Sequence, residues 1–237
     1  MNKRDKQKEE TIADILRVSK ELFHEKGYEK TTISNIAKKC GLSKGALYHH
    51  FKSKQDVLKE ICHQHYKNLE AKFLPIAEDK AASFYEKIYR IMSFARNSQM
   101  NTAAASFSKK ESSDSNEIEN AALSKLLDSY SEKIYIEILA PILSEGKERG
   151  ECNFPVSGEV IAIYVYYLDT GTSEQLNRIL NGKDWNSAEE RIKNVIKGFT
   201  YGLSQLINVK QKTIAKIILA DKMLQQYLEI LENRKKN

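Results

Sequence analysis

Residues that staple or interrupt a chain are scarce in this sequence: 3 Cys, 3 Pro and 10 Gly among 237 residues. Cys40, Cys62 and Cys152 are odd in number and scattered, which excludes a paired disulfide framework and predicts a reducing, cytoplasmic setting. With so few turn residues, a mainly β protein of this length is disfavoured. No apolar stretch approaches the roughly twenty residues that cross a bilayer; the longest, Val160 to Leu168, has nine. The first residues, MNKRDKQKEE, are charged and lead into no apolar signal core, so neither export nor a membrane partner is expected. The sequence also lacks a phosphate-cradling glycine loop, a G-x-S-x-G elbow and an H-E-x-x-H pair, so no enzyme and no cofactor is expected.

What is present fits a folded helical chain, with 41% hydrophobic and 30% charged residues. Length gives a soft prior of one to two domains. The net charge of +6 is unevenly placed. Residues 1–54 hold 13 Lys/Arg against 7 Asp/Glu, whereas residues 55–237 hold 25 of each. The whole excess therefore sits in the first quarter, as expected if a small domain there meets a polyanion.

A helical period dominates. Ile12, Ile15, Leu16, Ser19, Leu22 and Phe23 share one face, predicting a helix over about 8–26 that ends at Gly27 and follows a basic arm. A shorter period, Ile33, Ile36, Ala37 and Cys40, opens at Thr32 as N-cap and closes at Gly41. Ser43 then caps a third helix with Leu47 and Phe51 inward, and Ser53 caps a fourth whose Asp56 serves as a short capping-box partner. Two helices of about two turns joined by Gly-Leu-Ser form a helix-turn-helix. Ala37 permits close crossing, Gly41 supplies the turn, and Leu47 points back into the small core. Burying Leu47 and Phe51 leaves Lys44, Gly45, Ala46, Tyr48 and His49 facing outward.

The segment TTISNIAKKCGLSKGALYHHFKSKQDVL, within a match over residues 10–60, resembles the DNA-binding domain of the TetR family of transcriptional regulators. The resemblance implies an all-α homodimer. Residues 1–54 would form a three-helix DNA-binding domain with its basic arm, and residues 55–237 a helical ligand-binding and dimerisation domain. By position, Lys44, Gly45, Ala46, Tyr48 and His49 would meet bases and phosphates of double-stranded DNA, while Thr32, Ser43 and Lys54 would hold phosphates. Helix N-termini suit that role, since their free N–H groups attract anions. Asn35 stands where the family often has an acidic residue capping the second helix.

Beyond Lys54, helices are predicted over about 54–74, stopping before Pro75, and about 81–98. Further helices are expected over about 117–149 with a kink or break at Pro141, then 157–181, 187–207 and 212–233. Val160 to Leu168 is β-branched enough for a strand, but its inward face continues helically to Ile179. Tyr85, Tyr89, Met92, Phe107, Tyr130, Tyr164 and Tyr167 are candidates to line a pocket for a small, largely apolar or aromatic effector. Val195, Gly198, Phe199 and Gly202 are candidates for a homodimer seam, because the two glycines leave a bare stripe. Cys62 and His65, at i and i+3, are weak candidates for a metal, the plainer reading being a buried thiol beside a solvated imidazole. The resemblance to the TetR family implies a repressor that binds a palindromic operator and is released by an effector. The alternative is an adaptor whose body binds a protein.

Overall fold

The structure, a computed structural model, describes residues 2–97, 129–130, 132–182 and 184–235. Among these there is no strand, and no helix is long and apolar enough to cross a membrane. The all-α expectation holds. The described residues form two compact units, one containing residues 2–68 with Ser129 and Tyr130, the other residues 69–97 and 132–235.

In the first unit, α1 spans Lys3–Lys26, α2 Ile33–Lys39 and α3 Lys44–His50, and α4 begins at Lys54 and runs to Ala77 in the second unit. The first helix starts five residues before the expected position. The Asn2 side chain caps it by accepting from the Arg4 N–H, and the Lys- and Glu-rich segment that follows contains good helix formers. What reads as an arm is thus the first turns of α1. Between α2 and α3, Gly41 takes φ +68°, and the Leu42 N–H reaches back to the Ala37 carbonyl at 2.9 Å. A side chain at Gly41 would be strained in that conformation. Ile36, Leu47, Val57 and Leu58 are at most 1% exposed and, with Ile15, Leu16 and Phe23 of α1, fill the core of this unit. The first turns of α4 complete that core, which is why the compact unit extends past residue 54, to Asn68.

The second unit contains the end of α4, α5 (Phe84–Asn97), a π-helical turn (Tyr135–Leu139), α6 (Ala140–Glu148), α7 (Gly158–Asn181), α8 (Ala188–Leu206), α9 (Gln211–Ile217) and α10 (Ala220–Lys235). Helix α4 does not stop before Pro75 but continues for three residues, Pro75 to Ala77, since only its last turn has to do without the missing N–H. The irregularity expected at Pro141 takes the form of the π turn before it. The Ala140 N–H bonds to the Tyr135 carbonyl, five residues back, and the widened turn accommodates the proline ring at the start of α6. The β-branched run Val160 to Leu168 is helical, capped by Ser157, whose hydroxyl accepts from the Val160 N–H. The single helix expected over 212–233 is two helices, separated by Leu219 at φ +57°.

Helix α7 is the centre of this unit, packing against the π turn, α6, α8 and α10. Its first residue, Gly158, meets α6 so closely that a Cβ there would lie 2.7 Å from the Ala140 carbonyl oxygen and would collide with Ser144 Oγ. A second constraint is a buried ion pair. The Lys87 ammonium, 1% exposed, donates to Glu145 Oε2 at 2.5 Å and to the Ala77 carbonyl at 2.9 Å, while Arg149 lies 2.6 Å from Glu145 Oε1. The Lys87 hydrogen bond, with the positive charges of Lys87, Arg149 and Lys80, holds the Glu145 carboxyl below its ordinary value against the opposing effect of burial.

Gly158→Ala is expected to destabilise the chain by about 1–3 kcal/mol in urea unfolding, because backbone must shift to admit the methyl group. Lys87→Met should cost about 3 kcal/mol, as removing one partner leaves Glu145 partly uncompensated. A depressed carboxyl contributes stability above its unfolded-state pKa, and that contribution disappears as pH falls through the folded-state value. Glu145→Gln should therefore lower stability at pH 7, with a deficit that narrows as the buffer is acidified below the ordinary carboxylate range.

Candidate DNA-reading site

Helices α2 and α3 are each only seven residues long, so their positions depend on caps and on one buried face. Thr32 accepts from the Asn35 N–H at 3.1 Å, while Asn35 Oδ1 accepts from the Thr32 N–H at 3.0 Å. Asn35, the departure from the family pattern, thereby completes a capping box with an amide oxygen in place of a carboxylate. Ser43 does the same half of the work for α3, its hydroxyl accepting from the Ala46 N–H at 3.1 Å. Thr31, whose role the sequence did not reveal, is 1% exposed and donates to the Gly27 carbonyl at 2.8 Å, fixing the entry to Thr32.

The inner face of α3 is fixed by Leu47 at 0% exposure and Phe51 at 8%. Its outer face is as expected: Ser43, Lys44, Gly45, Ala46, Tyr48 and His49 are all exposed. Tyr48 is 52% exposed, so its ring is not packed into the core. The adjacent His50 is half-buried, its ring stacked 5.7 Å from that of His49. Burial, the His49 imidazole and the Lys8 ammonium all push the His50 pKa down. A side-chain network, Arg17 with Asp14 and Glu21, and Lys39 with Glu21 and Glu25, joins exposed faces of α1 and α2. Exposed pairs of this kind contribute little stability, but they direct Lys39 toward α1.

Lys54 departs from expectation. Its ammonium donates to the Tyr28 carbonyl at 3.0 Å and to the Glu29 carbonyl at 3.4 Å, and it sits 4.1 Å from the centre of the Tyr28 ring. It is turned inward, bracing the α1–α2 connection against the start of α4. A lysine one residue after a serine cap looks, in sequence, like a free phosphate ligand; only the folded position of Tyr28 reveals the competing partner.

The other candidates are dispersed. Tyr85 is half-buried and its hydroxyl donates to the Glu151 carbonyl at 2.6 Å, whereas Tyr89 is 45% exposed and Met92 half-buried. Tyr164 and Tyr167 are 53% and 59% exposed and line an open depression with Leu168, Gly202, Gln205 and Leu206. Tyr130 belongs to the first unit, and Phe107 lies outside the described residues. Tyr164 and Tyr167 do not face an enclosed cavity among the described residues, because α7 turns Ile161, Ala162, Tyr166 and Leu176 inward and these two tyrosines outward. A polar pair that the sequence did not single out lies on the inward side: the Tyr135 hydroxyl donates to Asp169 Oδ2 at 2.7 Å, with the Tyr166 ring edge-on to Tyr135 at 5.5 Å.

Of the candidate seam residues, Gly198 is exposed with nothing within 4 Å of a Cβ, and Val195 is half-exposed. Phe199 is 4% exposed and belongs to the core, while Gly202 packs beneath Leu168 of α7. Cys62 is buried, which pushes its thiol up to about 11, whereas His65 is exposed. No group of three metal-binding side chains is present among the described residues.

Lys54→Met should lower thermal stability while leaving the salt dependence of DNA binding at the parent slope. Lys44→Ala, in contrast, should weaken DNA binding with stability unchanged, as measured by paired melting and salt titrations. A loss of about one unit of slope in Lys54→Met would return this residue to the phosphate contacts.

Residues 15–61 match the family described as bacterial regulatory proteins, tetR family. The fatty acid metabolism regulator protein of Bacillus subtilis (strain 168) is 30% identical over 152 residues, 62% of this chain and 73% of that protein. An uncharacterised HTH-type transcriptional regulator of the same organism, YerO, is 45% identical over 67 residues, 28% of this chain and 23% of the relative. Shigella flexneri AcrR is 43% identical over 53 residues, 22% of this chain and 25% of its own length, so with YerO and AcrR the likeness spans only about a quarter of the relative. Among solved structures, the fatty acid degradation regulator FadR of Bacillus halodurans superimposes with a TM-score of 0.56 at 20% identity, covering 88% of this chain and 94% of that one. At that identity the superposition establishes the fold. With the capped helix-turn-helix and the relative matched over most of its length, the chain belongs to the TetR family of DNA-binding transcriptional regulators.

Proposed function

We propose that this protein is a repressor that binds a palindromic operator as a homodimer and releases it when a small molecule enters its helical body. The observation that carries the reading is the outer face of α3. Lys44, Gly45, Ala46, Tyr48 and His49 are exposed together on a helix whose other side is locked into a core. A short-sided basic face of this kind admits close approach to base edges in the major groove, while capped N-termini at Thr32 and Ser43 offer N–H groups to phosphate oxygens. In this reading residues 1–54 provide the DNA contacts and residues 55–237 the regulation and pairing.

Pairing is supported by the face formed by α7 and α8. Tyr164, Tyr167 and Tyr201 are each more than half exposed beside Leu168, Leu206 and the open Gly198. A contiguous aromatic face is unusual on a monomer, and two-fold pairing sets two reading helices on half-sites about one DNA turn, roughly 34 Å, apart or a multiple of it. Tyr164 and Tyr167 thus move from the pocket to the seam, and Phe199 leaves it for the core. For the effector, the two relatives named for fatty acid metabolism and degradation make fatty-acyl compounds the first class to test.

Selection of bound fragments from a random DNA pool should enrich a palindrome; enrichment of none would overturn the DNA-reading assignment. Gly198→Arg should sediment as a monomer with unchanged helix content, because no described residue lies within 4 Å of a Cβ at that position, and persistence of the dimer would relocate the seam. Fatty-acyl ligands that raise the melting temperature should weaken operator binding by about 5–150-fold, the usual range of coupling between sites. Stabilisation without release, together with a protein recovered on the tyrosine face, would favour the adaptor.

A further inference from the structure

Helix α1 is longer than the core it serves. Its buried residues begin at Ile15 and Ile12 packs partly against the core, whereas Asn2 to Glu10 are all exposed. The first two turns therefore extend about 12 Å without burying a side chain. At about 100° per residue, Arg4, Ile12, Ile15 and Ser19 all fall within about 40° of the line of Lys8. The stripe that carries the core thus runs on past the edge of the core, where it changes from apolar to cationic. Asp5, Glu9 and Glu10 stand about 60°, 100° and 160° off that line, and Lys3 and Lys6 about 140° and 160°. Other cations of this unit are committed to the fold: Arg17 to Asp14 and Glu21, Lys39 to Glu21 and Glu25, Lys54 to the Tyr28 carbonyl. Among the described residues, Arg4 and Lys8 pair with no acid.

This stripe runs beside the end of the reading helix. The Lys8 ammonium is close enough to His50, the last residue of α3, for its charge to be felt there, and the His49 ring is stacked on that of His50. His50 Nδ1 is buried and has no hydrogen-bond partner among the described residues. Groups that are cationic, or become so on protonation, are gathered here, an arrangement that an anion relieves. We infer that Arg4 and Lys8 form a phosphate-binding stripe on the overhanging turns of α1, outside the helix-turn-helix, which holds the backbone of the double-stranded DNA that α3 reads. The inference rests on the proposed DNA reading and adds to it a contact that carries no sequence information. Charge complementarity identifies the occupant: a guanidinium and an ammonium, both donors only, stand one turn apart on one line and suit a row of phosphate oxygens.

Two double variants of the full chain that remove the same net charge from different sides of α1 test the stripe. All four positions are exposed, and alanine is the best helix former, so both variants should keep the parent helix content by circular dichroism. Salt titrations are run on the selected palindrome and on an unrelated duplex of equal length. Arg4→Ala/Lys8→Ala should lose about two units of slope on both duplexes, with the preference for the palindrome unchanged, because a phosphate contact weakens all sequences alike. Lys3→Ala/Lys6→Ala should keep the parent slope. A parent slope in Arg4→Ala/Lys8→Ala would overturn the stripe, and so would an equal loss in both variants, which would mean diffuse charge rather than a built contact. A second readout needs no DNA: by NMR titration, Lys8→Ala should raise the His50 pKa toward its ordinary value and Lys6→Ala should leave it in place. An unmoved His50 in Lys8→Ala would remove Lys8 from the end of α3 and the inference with it. If the pool enriches no palindrome, slopes on the unrelated duplex still decide the stripe, so it and the reading assigned to α3 fall separately.

Discussion

Burial of Leu47 is the constraint on which the reading site depends. A seven-residue helix has too few internal hydrogen bonds to persist alone, so α3 exists because one side of it is held in a core. Leu47 and Phe51 fix its rotation about its own axis, and that rotation alone determines that Lys44, Tyr48 and His49 face out. The support is shared: Ala37 lets α2 approach, Gly41 turns the chain between the two helices, and Val57 and Leu58 of α4 close the core from the other side. Any change in α4 near these residues is therefore felt at the outer face of α3. The reading unit is mechanically part of α4 rather than a module ending at its first residue.

A second theme is the use of long cationic side chains as internal caps. Lys54 serves the Tyr28 and Glu29 carbonyls, Lys87 the Ala77 carbonyl at the end of α4, Arg149 the Lys80 and Ala82 carbonyls, and Arg234 the Leu180 carbonyl at the end of α7. Carbonyls at helix ends and in connections lack backbone partners, and a long cation can reach them across a gap while neutralising the negative end of the helix dipole. Positive charge in this chain thus does two jobs. The excess in the first 54 residues gives a polyanion-binding character, but individual cations such as Lys54 and Lys39 are committed to the fold.

In the second unit, tyrosines are divided between interior and surface by the face of α7 they occupy. Tyr166 is 5% exposed and joins Tyr135 and Asp169 inside, whereas Tyr164 and Tyr167 are directed outward toward the exposed strip of α8. Tyrosine serves both settings because its ring packs on apolar neighbours and its hydroxyl finds a polar partner. The same helix thus carries an inward polar group and an outward aromatic one.

The sequence by itself determined the elements that arise from local rules. Apolar spacing, capping residues and Gly41 fixed α2, α3 and the turn between them, and the long periods of α7 and α8 were equally readable, because each depends on neighbours within a few residues. Pro141 announced an irregularity for the same local reason, although not that it would be a π turn. What only the tertiary structure decided are matters of partnership across the chain. Lys54 and a phosphate ligand look alike until Tyr28 is brought beside it; Phe199 and Gly198, neighbours in sequence, part into core and surface according to where α7 lies; and Tyr130 joins the reading unit from beyond residue 100. Periodicity says which side of a helix is buried, but the identity of what covers that side is set by contacts between residues far apart in sequence, and no local pattern encodes it.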